Sequence, residues 1–324
     1  MPAPRIALPP AIDPAALPSH DPTARVELIK GETMGTTWRV RYAGRVSPET
    51  VLAAVTARLA ALVDQMSHWE PASALSRFNE APAGSWHALP VDLARVVDLA
   101  LALAARSEGA FDPAIGVLVN VWGFGPPGAR AAPEPWEIAD ALARGGWRQL
   151  AWDAPRRRLR QPGGVRLDLS GVAKGYAVDV IADLLGELGV HHCLVEVGGE
   201  LVGRGWRPDG DPWWVDLEAP AGAGVPPLRV AAHQLAVATS GTYVRGAHNL
   251  DPRTGRPPMH VSVSASVIAP SAALADALAT IALVAAPAEV MAIDYPIRLI
   301  VRTNDGYQEL LSRRLNEMLT SKDC

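Results

Sequence analysis

The middle of the chain carries an apolar run that ends in a carboxylate and passes at once into a helix pattern. Leu167-Asp168-Leu169 is typical of a strand end, and Ser170-Gly171 predicts a turn. A helix to about Leu188 is predicted by apolar side chains three or four positions apart, at Val178, Ile181, Leu184, Leu185 and Leu188. The rest of the fold has to be arranged around this strand, turn and helix.

Lys174 lies in the first turn of the predicted helix. The first N–H groups of a helix have no partner within the helix, and the small residues before them leave them accessible. Open N–H groups beside a lysine are suited to binding a phosphate. The pattern is not a Walker A loop, which requires G-x-x-x-x-G-K-[ST]. A capped turn with an exposed lysine explains the same residues equally well, so the residues alone leave both interpretations open.

Helix and strand patterns alternate along the chain without an internal repeat. Helices are predicted at 48–66, 91–107 and 271–283, and strands at 192–197, 228–232, 261–268 and 297–301. Residues 25–44 predict a β-hairpin with Thr33-Met34-Gly35-Thr36 at its bend. We therefore predict an α+β fold, a single unit of two lobes with mixed sheets, packed helices and a cleft between the lobes. Residues 1–24 are predicted to form a flexible N-terminal arm or an extended strap, and residues 25–324 the folded domain.

Composition excludes several classes of protein. The formal net charge of −4 offers no basic field for a nucleic acid. No apolar run approaches the length of a membrane span. The two cysteines, Cys193 in an apolar run and Cys324 at the end, do not indicate a disulfide framework. Because the first residues lack a basic segment followed by an unbroken apolar one, no signal peptide is predicted and a cytoplasmic location is expected.

Two residue patterns suggest specific chemistry. Asp276 and Thr280 are four positions apart on a predicted helix and share a face, so their oxygens could bind one hard cation such as Mg²⁺. An Asp near a helix start and a Thr on a packed face is the commoner explanation of such a pair. The imidazole of His248 has a pKa range suited to a general base near neutral pH.

The chain resembles the ApbE family, the FAD:protein FMN transferases, in the order of six motifs between about Glu32 and Leu311. Each motif is weak alone, and the ordered set is specific. The motifs are Thr33-Met34-Gly35-Thr36; Met66-Ser67-His68-Trp69 with Ser76-Arg77-Phe78-Asn79; Phe111-Asp112-Pro113 through Asn120-Val121-Trp122-Gly123-Phe124-Gly125; Asp168 through Asp179; Ser240-Gly241 through His248–Gly255; and Ala275-Asp276-Ala277-Leu278-Ala279-Thr280.

The resemblance assigns roles to residues at matching positions. It implies that a metal ion is bound by the side chains of Asp276 and Thr280 and by the main-chain carbonyls of Gly171 and Ala279. It implies that His248 activates the acceptor hydroxyl as the catalytic residue. It further implies contacts with FAD, in a cleft between the lobes, from Met34, Trp69, Ala110, Phe111, Asp112, Asp168, Lys174 and Leu250.

The reaction implied by the resemblance is a phosphoryl transfer from FAD, the substrate, with Mg²⁺ as cofactor. A Ser or Thr hydroxyl of an acceptor flavoprotein, a subunit of a redox complex, attacks the phosphorus on the FMN side. FMN becomes esterified to the acceptor and AMP leaves.

Other functions remain open at this stage. The same residues with water as acceptor would form an FAD pyrophosphatase that gives FMN and AMP, and a non-catalytic FAD-binding maturation factor is a third possibility. A nicotinamide-dependent enzyme is disfavoured, because Gly198-Gly199 and Gly203-Arg204-Gly205 do not form G-x-G-x-x-G. Many ApbE relatives are lipoproteins with an N-terminal cysteine, whereas no cysteine precedes Cys193 here. If the true start lies upstream, a periplasmic or membrane-associated location is the alternative.

Overall fold

A computed structural model describes residues 3–242, 249–259 and 261–319. The chain divides into two compact units, each built from separate segments. Of the described residues, unit 1 contains 3–59, 174–242 and 261–319, and unit 2 contains 60–173 and 249–259. Residues 25–324 were predicted to form one domain, and in the structure they contribute to both units.

The regular elements alternate between helix and strand, as the sequence predicts. The strands are β1 (Arg5–Ala7), β2 (Val26–Thr33), β3 (Thr36–Ala43), β4 (Trp86–Ala88), β5 (Ala151–Asp153), β6 (Arg158–Arg160), β7 (His192–Val197), β8 (Glu200–Arg204), β9 (Trp213–Asp216), β10 (Leu228–Ala232), β11 (Leu235–Gly241), β12 (Ser262–Ala269), β13 (Ile297–Thr303) and β14 (Gly306–Leu311). The helices are α1 (Pro48–Met66), α2 (Ala74–Asn79), α3 (Val91–Arg106), α4 (Gly116–Val121), α5 (Pro135–Arg144), α6 (Ala173–Glu187), α7 (Ala272–Val284), α8 (Pro287–Ala292) and α9 (Arg313–Met318).

An eight-stranded sheet forms the centre of unit 1 among its described residues. Its strand order is β14-β13-β12-β11-β8-β7-β3-β2, and all neighbouring strands are antiparallel. Every residue of β12 is buried, which requires cover on both faces of the sheet. Val237 and Ile268 pack in a cluster with Leu228 and Val230 of a smaller sheet, and α7 also packs against β11 and β12.

The segment before β2 packs on later segments of unit 1. β1 pairs in parallel with β10, which pairs antiparallel with β9. The Asp13 N–H donates to His233 Nε2 at 2.9 Å, and the Ser19 hydroxyl lies 3.0 Å from His192 Nε2. Residues 3–24 therefore make strand-pairing and side-chain contacts with later segments of unit 1.

Unit 2 is more helical, with a three-stranded sheet in the order β4-β6-β5 among its described residues. Helix α3 buries one stripe that includes Leu93, Val96 and Val97. Helices α4 and α5 enclose a second cluster that contains Val117, Leu118, Ile138, Ala141 and Leu250. Within the described residues, no helix combines the length and the apolar character needed to cross a bilayer.

The predicted α+β class is confirmed, and the strongly periodic elements lie close to their predicted positions. Helix α1 covers 48–66 as predicted, α3 ends one residue earlier than predicted, and α7 begins and ends one residue later. Helices α4, α8 and α9, each of six residues, were not predicted. A helix that short presents fewer than two turns, so no periodicity identifies it.

Candidate active site

Two tight turns bring predicted flavin contacts and a buried acid together in unit 1. Met34 and Gly35 form the two-residue turn between β2 and β3, with φ of 49° and 70°. Gly198 and Gly199 form the turn between β7 and β8, with φ of 64° and 106°. Positive φ is unusual for a residue with a side chain, so Met34 is held in a strained conformation at the position assigned to flavin.

Gly198 permits a close approach within this unit. Its N–H donates to the Thr37 carbonyl at 3.0 Å. A Cβ at this position would lie 2.9 Å from Thr36 Cγ2 and 3.3 Å from Lys174 Cδ. The sequence predicts that Gly198-Gly199 allows a partner to come near, either flavin or a neighbouring loop. The structure shows strand β3 and the stem of Lys174 in that place.

Lys174 lies between two buried carboxylates. Its Nζ is 2.7 Å from Glu200 Oε1 and 3.6 Å from Asp276 Oδ2. Both carboxylates are almost fully buried, with side-chain exposures of 6% for Glu200 and 3% for Asp276. Glu200 Oε2 is buried and has no hydrogen-bond partner among the described residues. Lys174 is thus half-buried in an ion-pair cluster, rather than exposed on a capped turn.

Burial and neighbouring charges shift the pKa values of Lys174, Glu200 and Asp276. Burial raises the pKa of Glu200 to about 7, against the attraction of the Lys174 ammonium. Burial also raises the pKa of Asp276, again opposed by Lys174. For Lys174 burial acts to lower the pKa, but the attraction of Asp276 and Glu200 outweighs it and the pKa lies above its usual value. The cluster stabilises a charged lysine.

Helices α6 and α7 cap each other through two acids, Asp276 and Asp179. The Asp276 carboxylate of α7 accepts the Gly175 N–H from the first turn of α6 at 3.1 Å. The Asp179 carboxylate of α6 accepts the N–H groups of Ala272 and Ala273, at 2.7 and 2.9 Å, from the first turn of α7. One N–H group of the α6 start, where the sequence suggests a phosphate, therefore already has a protein partner.

The candidate cation ligands of unit 1 share helix α7 as predicted. Asp276 is buried, and Thr280 follows one turn later and is half-buried. The described residues hold no group of three or more His, Cys, Asp or Glu side chains that could bind a metal. The predicted set is of a different kind, with one carboxylate, one hydroxyl and two carbonyls. The unpartnered Glu200 oxygen and an excess of buried negative charge next to Asp276 suit a hard cation.

In unit 2, Asp168 lies in a segment that the sequence predicts as a strand end. Among the described residues, the segment forms only an isolated β-bridge, between Arg166 and Ile115, and is held by a buried side chain. Asn79 donates from Nδ2 to the Leu167 carbonyl at 3.0 Å and accepts the Leu167 N–H at 2.7 Å. The Asp168 N–H donates to the Pro113 carbonyl, and its carboxylate accepts the Ser170 N–H at 2.8 Å. Asp168 is therefore buried, and both its main chain and its carboxylate are hydrogen-bonded. Gly171, whose carbonyl is a predicted metal ligand, lies in the turn that follows.

One of the two aromatic candidates of unit 2 is accessible. The side chain of Trp69 is 59% exposed and its ring lies 5.5 Å from that of His68, centroid to centroid. His68 Nδ1 is 3.8 Å from Asp168 Oδ1, so the two side chains line the same small pocket. An exposed indole is suited to stacking on a planar ring.

The remaining candidates of unit 2 could contact a ligand mainly through their main chain. Ala110, Phe111 and Leu250 are buried, and Leu250 packs in the core between α4 and α5. The Asp112 carboxylate accepts the N–H groups of Ala114 and Trp147 at 2.8 and 3.1 Å. Burial nevertheless raises the pKa of Asp112 above its usual value. His248 lies outside the described residues.

No sequence pattern indicated that Glu200, Asp179 or Asn79 belongs to the site. A Gly-Gly turn followed by an acid at the start of a strand was a possible signal for Glu200, since an acid there is unusual. Asp179 is an acid within the largely apolar α6, which was a weaker signal. Asn79 occurs within a motif of the resemblance, but its amide gives no indication of which main-chain group it binds.

Comparisons with known proteins agree on one family. A model described as the ApbE family matches residues 34–295. The solved structure of the flavin transferase ApbE from Vibrio cholerae matches with a TM-score of 0.86 at 34% identity, covering 91% of this chain and 100% of that chain. The apo flavinyl transferase ApbE of Pseudomonas stutzeri matches with a TM-score of 0.86 at 35% identity, covering 92% and 98%. The FAD:protein FMN transferase of Klebsiella pneumoniae is 33% identical over 331 residues, 96% of this chain and 94% of that protein.

Proposed function

Because the chain belongs to the ApbE family, we propose that it transfers FMN from FAD to a Ser or Thr hydroxyl of an acceptor flavoprotein. The hydroxyl oxygen forms a bond to the phosphorus on the FMN side. The bond from that phosphorus to the bridging oxygen breaks, AMP leaves with that oxygen, and the hydroxyl proton passes to a base. The observation that carries this proposal is the buried cluster of Lys174, Glu200 and Asp276 at the start of α6.

The residues of the proposed site divide among three tasks, which are FAD binding, cation binding and proton transfer. In unit 1 we assign Met34 and Lys174 to FAD binding, with Asp276, Thr280 and the Ala279 carbonyl available to Mg²⁺. In unit 2 we assign Trp69, Asp168, Leu250 and the segment 110–112 to FAD binding, and the Gly171 carbonyl to the cation. Bound Mg²⁺ supplies charge that offsets the negative charge developing on the pyrophosphate. His248 is the proposed base for the acceptor hydroxyl.

Lys174 is suited to a phosphate for a physical reason. Its ammonium is fixed by Glu200 at 2.7 Å and its pKa is raised, so it stays charged at neutral pH. A fixed ammonium at a helix start orients an anionic group without having to be ordered when the ligand binds.

The test is mass spectrometry of a candidate acceptor after incubation with the protein, FAD and Mg²⁺. We expect one FMN per acceptor and one AMP per FMN, with loss of both when the acceptor Ser or Thr is changed to Ala or when EDTA is in excess. Full release of AMP and free FMN without acceptor would show a pyrophosphatase instead. FAD binding without either product would show a maturation factor.

The identity of the acceptor and the compartment remain predictions. An acceptor from a redox complex is identified by the same mass shift in proteins from cells that carry the gene. The expected cytoplasmic location is checked by fractionating such cells.

A further inference from the structure

Lys174 is shared unequally by two carboxylates of unit 1. The 2.7 Å contact with Glu200 Oε1 is a hydrogen bond, whereas 3.6 Å to Asp276 Oδ2 is too long for one. A lysine ammonium on a flexible stem could close onto either acid. Its position close to Glu200 leaves the Asp276 carboxylate without a hydrogen bond from the ammonium and with the Gly175 N–H at 3.1 Å.

The position of Glu200 is set by the backbone. Glu200 begins β8 directly after the Gly198-Gly199 turn, and it is paired with Val197 across that turn. Gly198 packs so closely on the stem of Lys174 that a Cβ would lie 3.3 Å from Cδ. The turn therefore fixes the carboxylate of Glu200 and the stem of the lysine relative to each other.

Glu200 is costly for the fold in this arrangement. Its Oε2 is buried without a hydrogen-bond partner among the described residues, and two buried carboxylates share a single ammonium at hydrogen-bond or ion-pair distance. A buried polar atom without a partner destabilises the folded state, and an excess of buried charge does so as well. Stability alone gives no reason for a second carboxylate here.

We propose that Glu200 is a positioning residue that holds the Lys174 ammonium away from Asp276, so that the Asp276 carboxylate is available to a divalent cation. The inference rests on the proposed function for the presence of that cation. A lysine paired with Asp276 would compete with the cation for the same oxygens. Glu200 removes this competition while it keeps the ammonium at the helix start.

The charge-neutral variant Glu200→Gln tests the proposal by its effect on the lysine. Without the Glu200 charge, Asp276 is the stronger partner, and the ammonium moves onto it. We expect the affinity for Mg²⁺ or Mn²⁺, measured by calorimetry on the full chain without FAD, to fall by about 10–100-fold, as is usual when a group that supports a metal ligand is removed.

The double variant Glu200→Gln with Lys174→Met separates positioning from other roles. If Glu200 acts through the lysine, removing the ammonium as well restores cation affinity to within about threefold of wild type. The matched control is Glu196→Gln, which breaks the exposed pair with Arg39 on the neighbouring strand and leaves affinity unchanged. Glu200→Asp keeps the charge on a shorter side chain, and we expect a smaller fall in cation affinity. This variant serves as the test if Glu200→Gln does not fold.

Three results would overturn the inference. The first is unchanged cation affinity in Glu200→Gln, or in Glu200→Asp if only that variant folds. The second is a double variant that binds the cation as weakly as Glu200→Gln does, which would make Glu200 a cation ligand itself. The third is a wild-type chain that binds neither Mg²⁺ nor Mn²⁺. The proposed function fails separately, when wild-type protein binds the cation but transfers no FMN to an acceptor.

Discussion

At the scale of single residues, the site depends on groups whose charge is set by burial. Glu200 and Asp276 lie on different elements of unit 1, and each would be unfavourable without Lys174. The residue expected to take the acceptor proton, His248, was recognised by its motif and is outside the described residues. Its role is therefore open to a direct experiment.

Replacing His248 by Ala is expected to slow FMN transfer by about 10²–10⁴-fold, the usual contribution of a general base. FAD binding, followed by flavin fluorescence, should stay close to wild type because the base contacts the acceptor and not the flavin. His191→Ala is the matched control, since His191 is exposed. Loss of FAD affinity in proportion to activity would make His248 a binding residue.

At the scale of elements, the contact between α6 and α7 positions the acids. The two helices cap each other through Asp276 and Asp179, and they approach so closely that a Cβ on Gly175 would lie 2.2 Å from the Ala272 carbonyl oxygen. Periodicity predicted both helices but not this contact, because the pattern of one helix does not specify its neighbour.

Gly175→Ala is expected to destabilise the protein by roughly 1–3 kcal/mol, since a main-chain oxygen has to move. Gly186→Ala is the control on the same helix. A Cβ there meets nothing within 4 Å, so we expect a gain of up to about 1 kcal/mol from helix propensity. Urea unfolding measures both. Equal effects of the two substitutions would contradict the close helix contact.

The cap made by Asp179 should make stability depend on pH. Burial raises the pKa of Asp179 from 3.8 to about 6, so the folded state favours the protonated acid. This contribution is fully present below pH 3.8 and is lost as pH rises through about 6. Wild type should lose about 3 kcal/mol relative to Asp179→Asn over that interval.

Urea unfolding at several pH values from 4 to 7 tests this expectation. Glu187→Gln, an exposed acid near the end of the same helix, is the control and should show no such change relative to wild type. A difference between wild type and Asp179→Asn that does not vary with pH would show that Asp179 titrates normally.

At the scale of the whole molecule, both units are assembled from segments far apart in the chain. The segment of residues 3–24 illustrates this in unit 1. Its Ala7 is fully buried in a cluster with Leu228, Val230 and Leu315, so the first residues complete a core formed by much later ones.

Deleting residues 1–24 is expected to lower the free energy of unfolding by at least about 2 kcal/mol, because it uncovers buried apolar surface of β10. Leu17→Ala, which changes an exposed leucine of the same segment, should alter it by less than about 0.5 kcal/mol. Chemical denaturation of the full-length and shortened chains makes the comparison. Equal stability of the two chains would indicate a flexible arm.

The sequence alone determined the elements with a clear period and the types of residue at the site. Helices such as α1 and α3 follow from side-chain spacing, which depends on neighbours a few positions away. Only the tertiary structure brought the Gly175 N–H to the Asp276 carboxylate, 101 positions later, and the Lys174 ammonium to the Glu200 carboxylate. Those contacts depend on how helices and turns pack, and packing joins positions that no local pattern relates. The same limit explains why Leu250 was chosen by its motif while its side chain lies in the core.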